Sequence, residues 1–414
     1  MRILLVHKFW KKVGGAEVYF QDVRRILRSK GHDVKVFSTM YDPGGGADIF
    51  PVDDEVVMGY APEYLKGSFL QKVRHIPETI YSKKNKQIFK DLLLRYKPDI
   101  VHVFAIYVTI TPSILEACHE LGIPVVMSCN DYKHICPNYR LFHHGKVCED
   151  CKGGKFYNAV LNNCCKHSFS VSVVSAIEAY VHDMKGIWKR NVSMFLFESE
   201  FMMNKTKEFW SDDKFDSAFL GKPFDATKYT PTGIYDDYAL YMGRLSDEKG
   251  VDVLLKAMAM APNAKLKIAG DGNWSDHLKA LADSLGLKNV EFLGSVHGDE
   301  FEALLGNCRF VVIPSIWHEN FPYVMTESFA RGKAVVGSDM GGIPEYIEEG
   351  VTGFVYPAQD HIKLSEIIVQ LYNSHGLAEE LGNNAKQFAD NEFNDDKFYS
   401  RISDIYSQVV SPEQ

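Results

Sequence analysis

A chain of 414 residues is too long for one ordinary hydrophobic core and fits two α/β domains. Its 46% hydrophobic and 24% charged residues exclude a disordered chain, and a net charge of -8 removes the global electrostatic case for nucleic-acid binding. The apolar run before His7 is too short for a signal-peptide core, and no stretch approaches the roughly 18 to 20 apolar residues of a membrane helix. The chain therefore reads as cytosolic, and its eight cysteines as thiols or metal ligands rather than a disulfide framework.

In chain order, Arg2 to His7 forms an apolar strand and leads to the loop Gly14-Gly15-Ala16-Glu17. Val18, Val23, Ile26 and Leu27 then share one helical face, and Gly31 ends the helix. Asp33 to Phe37, Asp99 to Phe104 and Pro124 to Ser128 read as buried parallel strands. Apolar periodicity lapses over residues 212–235, the expected linker, and the strand–helix alternation restarts after Lys222-Pro223. Strands are expected at Tyr238 to Met242, Lys265 to Ala269, Val290 to Leu293, Phe310 to Ile313 and Ala334 to Gly337. The boundaries expected are residues 1–220 for a first Rossmann-like domain and 221–394 for a second, with 395–414 a helix packing back on the first. That helix carries Phe398, Ile402, Ile405 and Tyr406 at helical spacing. Doubly wound sheets bind ligands at the carboxyl ends of their strands.

Four strand ends of the second half carry residues suited to an activated sugar phosphate. Gly243-Arg244-Leu245-Ser246-Asp247-Glu248-Lys249-Gly250 brings Arg244 as a planar fork and Lys249 as a mobile point charge toward a diphosphate. Ala269-Gly270-Asp271-Gly272 supplies glycines that let backbone approach a ligand, or make a plain tight turn. In Glu319-Asn320-Phe321-Pro322-Tyr323-Val324-Met325-Thr326-Glu327, Pro322 suits the first turn of a helix that Gly332 ends. Glu319 then lies in the loop, where a carboxylate can accept hydrogen bonds from sugar hydroxyls, and Glu327 on the helix, where one can grip a ribose diol; a salt-bridged loop glutamate and a surface helix glutamate are the plainer readings. The helix N-terminus favours an anion. Gly341-Gly342-Ile343-Pro344-Glu345 is a glycine turn into another helix.

Together these segments resemble the retaining glycosyltransferases of family 4, with their α/β GT-B fold of two Rossmann-like domains with a cleft between them. The likeness covers nearly the whole chain, from Gly14-Gly15-Ala16-Glu17 and His102 to Gly342-Ile343-Pro344-Glu345. The resemblance implies that Gly14 and Gly15 bring backbone N–H groups to the phosphate and transfer site. It implies that Arg244 and Lys249 hold the diphosphate, that Glu319 contacts donor-sugar hydroxyls with the backbone of Asn320, Phe321 and Pro322, and that Glu327 holds the ribose. Gly270 and Gly272 belong to the same donor site. The family transfers sugar with retention, by same-face attack and without a catalytic metal. One departure is Asn130, standing where many relatives carry a histidine; it donates a hydrogen bond but takes no proton, and Asp131 lies next to it.

An insertion over residues 132–168 holds Cys136, Cys148, Cys151, Cys164 and Cys165. Cys148-Glu149-Asp150-Cys151-Lys152-Gly153 has the C-x-x-C-x-G form of a metal knuckle, so Cys136, Cys148, Cys151 and Cys164 are expected to hold a structural zinc. Cys165, His143, His144 or His167 are alternative ligands, and reduced thiols packed in an insertion are the plainer reading. Some family relatives carry a similar insertion. Cys118 and Cys308 read as core residues.

Residues 64–97 hold nine cations, among them Lys66, Lys72, Lys83, Lys84, Lys86 and Lys90, against Glu78 and Asp91. Ile88, Phe89, Leu92 and Leu93 interleave with them at helical spacing. Two readings stand for this segment: a basic amphipathic element on the cytoplasmic face of an anionic membrane, or a solvated helix with a buried stripe. The function expected is transfer of a hexose-type sugar from a UDP- or GDP-sugar to a polysaccharide, glycolipid or lipid-linked acceptor. Alternatives are a sugar-nucleotide epimerase of the same fold and a non-catalytic partner subunit.

Overall fold

Short valine-, isoleucine- and leucine-rich runs alternate with amphipathic helices, and in the computed structural model they pair into two parallel sheets. The structure describes residues 1–11, 14–40, 49–61, 74–211 and 214–411. The chain divides into two units. Unit 1 comprises Met1–Arg140, Glu149–Pro223 and Phe398–Gln414; unit 2 comprises Leu141–Cys148 and Phe224–Lys397.

The sheet of unit 1 contains β1 (Arg2–Val6), β2 (Asp33–Ser38), β3 (Val56–Met58), β4 (Ile100–Val103) and β5 (Val125–Cys129). A hairpin of β6 (Phe142–His143) and β7 (Lys146–Val147) belongs to unit 2, and β8 (Met194–Phe197) and β9 (Ser217–Phe219) complete the first sheet. Its order is β3-β2-β1-β4-β5-β8-β9, with every pair parallel. Ile3 of β1 registers with Val34 of β2 on one side and Ile100 of β4 on the other. Ile3, Leu4, Leu5 and Val6 are all fully buried, because helices cover both faces. Burial of each contributes roughly 1.5–3 kcal/mol toward the entropy cost of ordering the strand.

Unit 2 repeats the design with β10 (Ala239–Met242), β11 (Leu266–Ala269), β12 (Val290–Gly294), β13 (Phe310–Ile313), β14 (Val335–Ser338) and β15 (Gly353–Tyr356), in the order β12-β11-β10-β13-β14-β15. Two apolar layers sandwich it, one built on Leu254, Ile268 and Leu371, the other on Leu240, Val311, Met325 and Phe329. In both sheets the strand order reverses beside the first strand, between β1 and β4 and between β10 and β13. Those are the topological switch points at which loops diverge to leave room for a ligand.

β3, β8, β9 and β15 were not expected from the sequence. Met194–Phe197 is an apolar run too short for periodicity to separate strand from helix, and its burial beside β5 decides the matter. The helix Asp395–Val410 carries Phe398 edge-on to Tyr19, and its Tyr406 hydroxyl lies 2.7 Å from Nδ1 of His102. The basic helix Lys83–Tyr96 buries Phe89, Leu92 and Leu93, while Lys86 pairs with Glu116 and Glu120 and Lys90 with Glu120. Its apolar stripe therefore serves the core rather than a membrane; Lys66 and Lys72 lie outside the described residues.

Candidate active site

In unit 2 the loops after β10 and β13 flank the switch point, and each contributes one member of a buried ion pair. Lys249 ends a 3-10 turn, Asp247–Lys249, and places Nζ 2.5 Å from Oε1 of Glu319. Ser315 donates to the same oxygen at 2.8 Å. Burial pushes the Glu319 carboxyl upward, but the Lys249 ammonium outweighs it and holds the group below its ordinary value. Glu319 is thus an anion fixed in place with little water around it.

Neighbouring loops hold this pair by backbone contacts that only glycine permits. Gly250 has φ +65, and a Cβ there would lie 2.0 Å from the Pro314 carbonyl oxygen. Gly341, at φ +64, packs against Glu319 itself, and the Gly342 N–H donates to the Glu319 carbonyl at 2.7 Å. Gly270 and Gly272 fit the same description: added methyls would meet the carbonyl oxygens of Gly243 at 1.8 Å and Leu245 at 2.1 Å. The structure gives these two glycines a loop-packing role that sequence spacing did not reveal.

The expected helix runs Tyr323–Ala330 with Pro322 as its N-cap, and no side chain caps its first N–H groups. Glu327 lies on it, half-buried. Phe321 points into the core and stacks on Tyr346 at 3.8 Å, so its backbone alone is available to a ligand. Arg244 is exposed, and its guanidinium makes no hydrogen bond or ion pair among the described residues.

Unit 1 gathers a second polar cluster at the ends of β1, β5 and β8. Gly14 caps the helix Gly15–Ser29, and its N–H donates to Glu17 at 2.9 Å. Among the described residues a Cβ on Gly14 would meet nothing nearer than the Glu17 carboxylate at 3.9 Å. His7, buried beside Glu17 at 3.7 Å, is depressed to about 3 by burial and the Lys8 charge and stays neutral. Lys8 sits 3.5 Å over the Tyr107 ring; burial lowers it to about 8, opposed by Asp131 and Glu17. Tyr107 donates to Asp131. Asn130 donates to Glu198, whose other oxygen holds Lys222 at 2.6 Å. Glu198 and Lys222 were missed from the sequence, although Glu198 directly follows the unanticipated strand β8. His102 is a core residue, hydrogen-bonded to Ser128 and Tyr406 and fully buried.

Among the described residues no group of three or more His, Cys, Asp or Glu side chains is arranged to hold a metal ion, although Cys165, Cys136 and Cys151 all lie close enough to Cys164 to push its thiol upward. The Cys164 thiol faces its own neighbour, with the sulfurs of Cys164 and Cys165 4.0 Å apart. That contact and the Lys133 ammonium hold Cys165 below its ordinary value. Cys136 and Cys151 wall a cavity of about 320 Å³ with Lys133, Glu178 and His182. Cys118 and Cys308 are fully buried core residues, as expected.

Two parallel, doubly wound units with an anion-ready site at a switch point define the GT-B class, and comparison with known proteins agrees. A model of glycosyl transferases group 1 matches residues 233–388, and one of Glycosyltransferase Family 4 matches residues 13–184. The chain belongs to this glycosyltransferase family. An uncharacterized glycosyltransferase of Methanocaldococcus jannaschii is 35% identical over 181 residues, 42% of this chain and 46% of that protein. The chain thus matches about half the length of that relative. Sucrose-phosphate synthase from Thermosynechococcus elongatus superimposes with TM-score 0.71 at 17% identity, over 98% of each chain. HepE of Anabaena, solved in complex with UDP-glucose, gives TM-score 0.66 at 18% identity, over 99% of this chain and 100% of that one. Both share the fold. Among the described residues no helix is long and apolar enough to cross a membrane.

Proposed function

We propose that the protein is a retaining glycosyltransferase that moves a hexose-type sugar from a nucleoside-diphosphate sugar held by unit 2 to a glycan or lipid-linked acceptor held by unit 1. The observation that carries this reading is the buried Lys249–Glu319 pair at the β10/β13 switch point, beside an uncapped helix N-terminus. Lys249 and the exposed Arg244 meet the diphosphate, and the helix N-terminus adds its partial positive charge. Together they offset the charge that develops on the leaving phosphate, the task a divalent cation performs elsewhere. Lys249 and Ser315 both meet Oε1 of Glu319, and Oε2 is assigned to a donor-sugar hydroxyl. Glu327 grips the ribose. Attack from the face that the leaving group occupies gives retention.

In unit 1, Asn130 donates to the sugar and is itself oriented by Glu198. Among the described residues nothing crowds the Gly14 backbone, which suits its approach to the transferred group. The complex of HepE with UDP-glucose supports uracil as the donor base and glucose as the first sugar to try.

A thermal-shift series with UDP, GDP and their sugars tests the reading, because a ligand of the folded state raises the melting temperature. UDP and UDP-glucose are expected to raise it. A melt that no nucleotide moves overturns the donor assignment. Arg244→Ala is expected to lower kcat by about 100-fold, the order lost when one preorganised charge is removed. An NMR assignment of the product anomer then decides between retention and inversion.

A further inference from the structure

The helix Phe169–Met184 in unit 1 packs Val171, Ala176, Ala179 and Tyr180 on a small apolar cluster, yet it also buries polar groups and exposes large apolar ones. Its buried residues include Ser172, Glu178 and His182, each with a polar partner. Ser172 accepts from the Cys165 N–H, Glu178 binds Lys133 at 2.6 Å, and Nε2 of His182 lies 2.8 Å from the Ile80 carbonyl oxygen. The opposite face is apolar and exposed: Phe169 is 66% accessible, Ile177 46% and Met184 79%. These three, with half-buried Val173 between them, fall on one stripe at helical spacing. The short helix Asn158–Leu161 packs beside it and adds Leu161, 74% accessible. A soluble helix ordinarily places these two faces the other way round.

Charge indicates what covers the stripe. Lys155, Lys166, Lys185, Lys189 and Arg190 surround it in sequence, and Asp183 is the one exposed acid from residue 152 to residue 190. This basic segment belongs to a chain whose net charge is -8. Lys185 shares Glu116, at 3.2 Å, but the segment remains cationic. Large apolar side chains flanked in sequence by lysine and arginine match an anionic lipid surface, in which acyl chains take the former and headgroups the latter. With 16 residues, three of them buried and polar, the helix lies on a bilayer and does not span it.

We propose that the Phe169–Ile177–Met184 face is the membrane-docking surface of this protein and binds anionic phospholipid. It replaces the basic helix Lys83–Tyr96, whose apolar stripe is already buried. The inference concerns unit 1 alone and stands independently of the donor reading.

The test is co-sedimentation of the full chain with vesicles of phosphatidylcholine, alone or mixed with phosphatidylglycerol. The parent is expected to sediment with the mixed vesicles and not with phosphatidylcholine alone. The exposed-site variant Phe169→Ser/Ile177→Ser/Met184→Ser is expected to lose at least about tenfold in binding. Its unchanged melting temperature and unchanged UDP response would show that both units remain folded. A charge variant, Lys166→Glu/Lys189→Glu, is expected to bind more weakly, with the loss greatest at low salt. The proposal is overturned if the parent ignores anionic vesicles, or if the triple variant binds as the parent does. A concentration-dependent dimer that the triple variant abolishes, without vesicle binding by the parent, overturns it in favour of a second copy of the chain.

Discussion

Lys249 and Glu319 meet where neither has much water, so each depends on the other. Lys249→Met strands a buried carboxylate, a change that costs about 3–5 kcal/mol; the lower end is expected, because Lys249 keeps 19% of its side-chain exposure. The measurement is urea unfolding beside turnover, and both should fall. The pair also fixes a pH signature. The folded Glu319 carboxyl lies below its unfolded value near 4.5, so its contribution is complete above that value and is lost as pH falls through the folded one. Melting curves of the parent and of Glu319→Gln should therefore differ at neutral pH and converge in acid. Asn130 acts through its partner: Glu198→Gln would leave Lys222 buried without a counter-ion and Asn130 unaligned. That variant should lose stability and kcat, and the proposed placing of the donor on unit 2 predicts an unchanged donor KM.

Among the elements, the glycine loops of unit 2 divide packing from function. Gly270→Ala places a methyl 1.8 Å from the Gly243 carbonyl oxygen, and the loops must separate to admit it. It should lower the melting temperature by several degrees, in line with about 1–3 kcal/mol for overpacking. Among the described residues Gly14→Ala meets nothing nearer than 3.9 Å, and it should melt as the parent does, so that a loss of turnover reports ligand approach. The C-terminal helix gives a further contrast. Tyr406→Phe removes the partner of His102 Nδ1 inside a closed core, at a cost of about 1–3 kcal/mol. Burial holds His102 near 3, so the folded state keeps it neutral while the unfolded chain protonates near 6.5. This stabilising term is present above 6.5 and declines as pH drops toward 3.

At the scale of the whole molecule, unit 1 is not a continuous stretch of chain. Its last element comes from Phe398–Gln414, after all of unit 2 has been traversed. Truncation after Asn394 would expose Tyr19, His102 and their neighbours, and should leave a chain that melts lower and aggregates. Light scattering during a thermal ramp reads this directly; a truncated chain that melts as the parent does would assign the helix no part in unit 1. The hairpin Leu141–Cys148 belongs to unit 2, where Phe142 packs on Val253 and Ile316. The cysteine-rich insertion is thus divided between the two units.

Sequence alone determined the class of fold, because strands buried on both faces must be continuous apolar runs, and runs such as Ile3–Val6 and Phe310–Ile313 are legible without partners. It also placed Lys249, Glu319 and the helix start at Pro322 at strand ends, since turn and cap residues act locally. Tertiary structure alone decided β8, the Glu198–Lys222 pair beside Asn130, the packing role of Gly270 and Gly272, and the outward apolar face of Phe169–Met184. Each of these depends on which distant segment lies alongside. A period of 3.6 shows that a helix has two faces, and only the packed neighbours decide which one water sees.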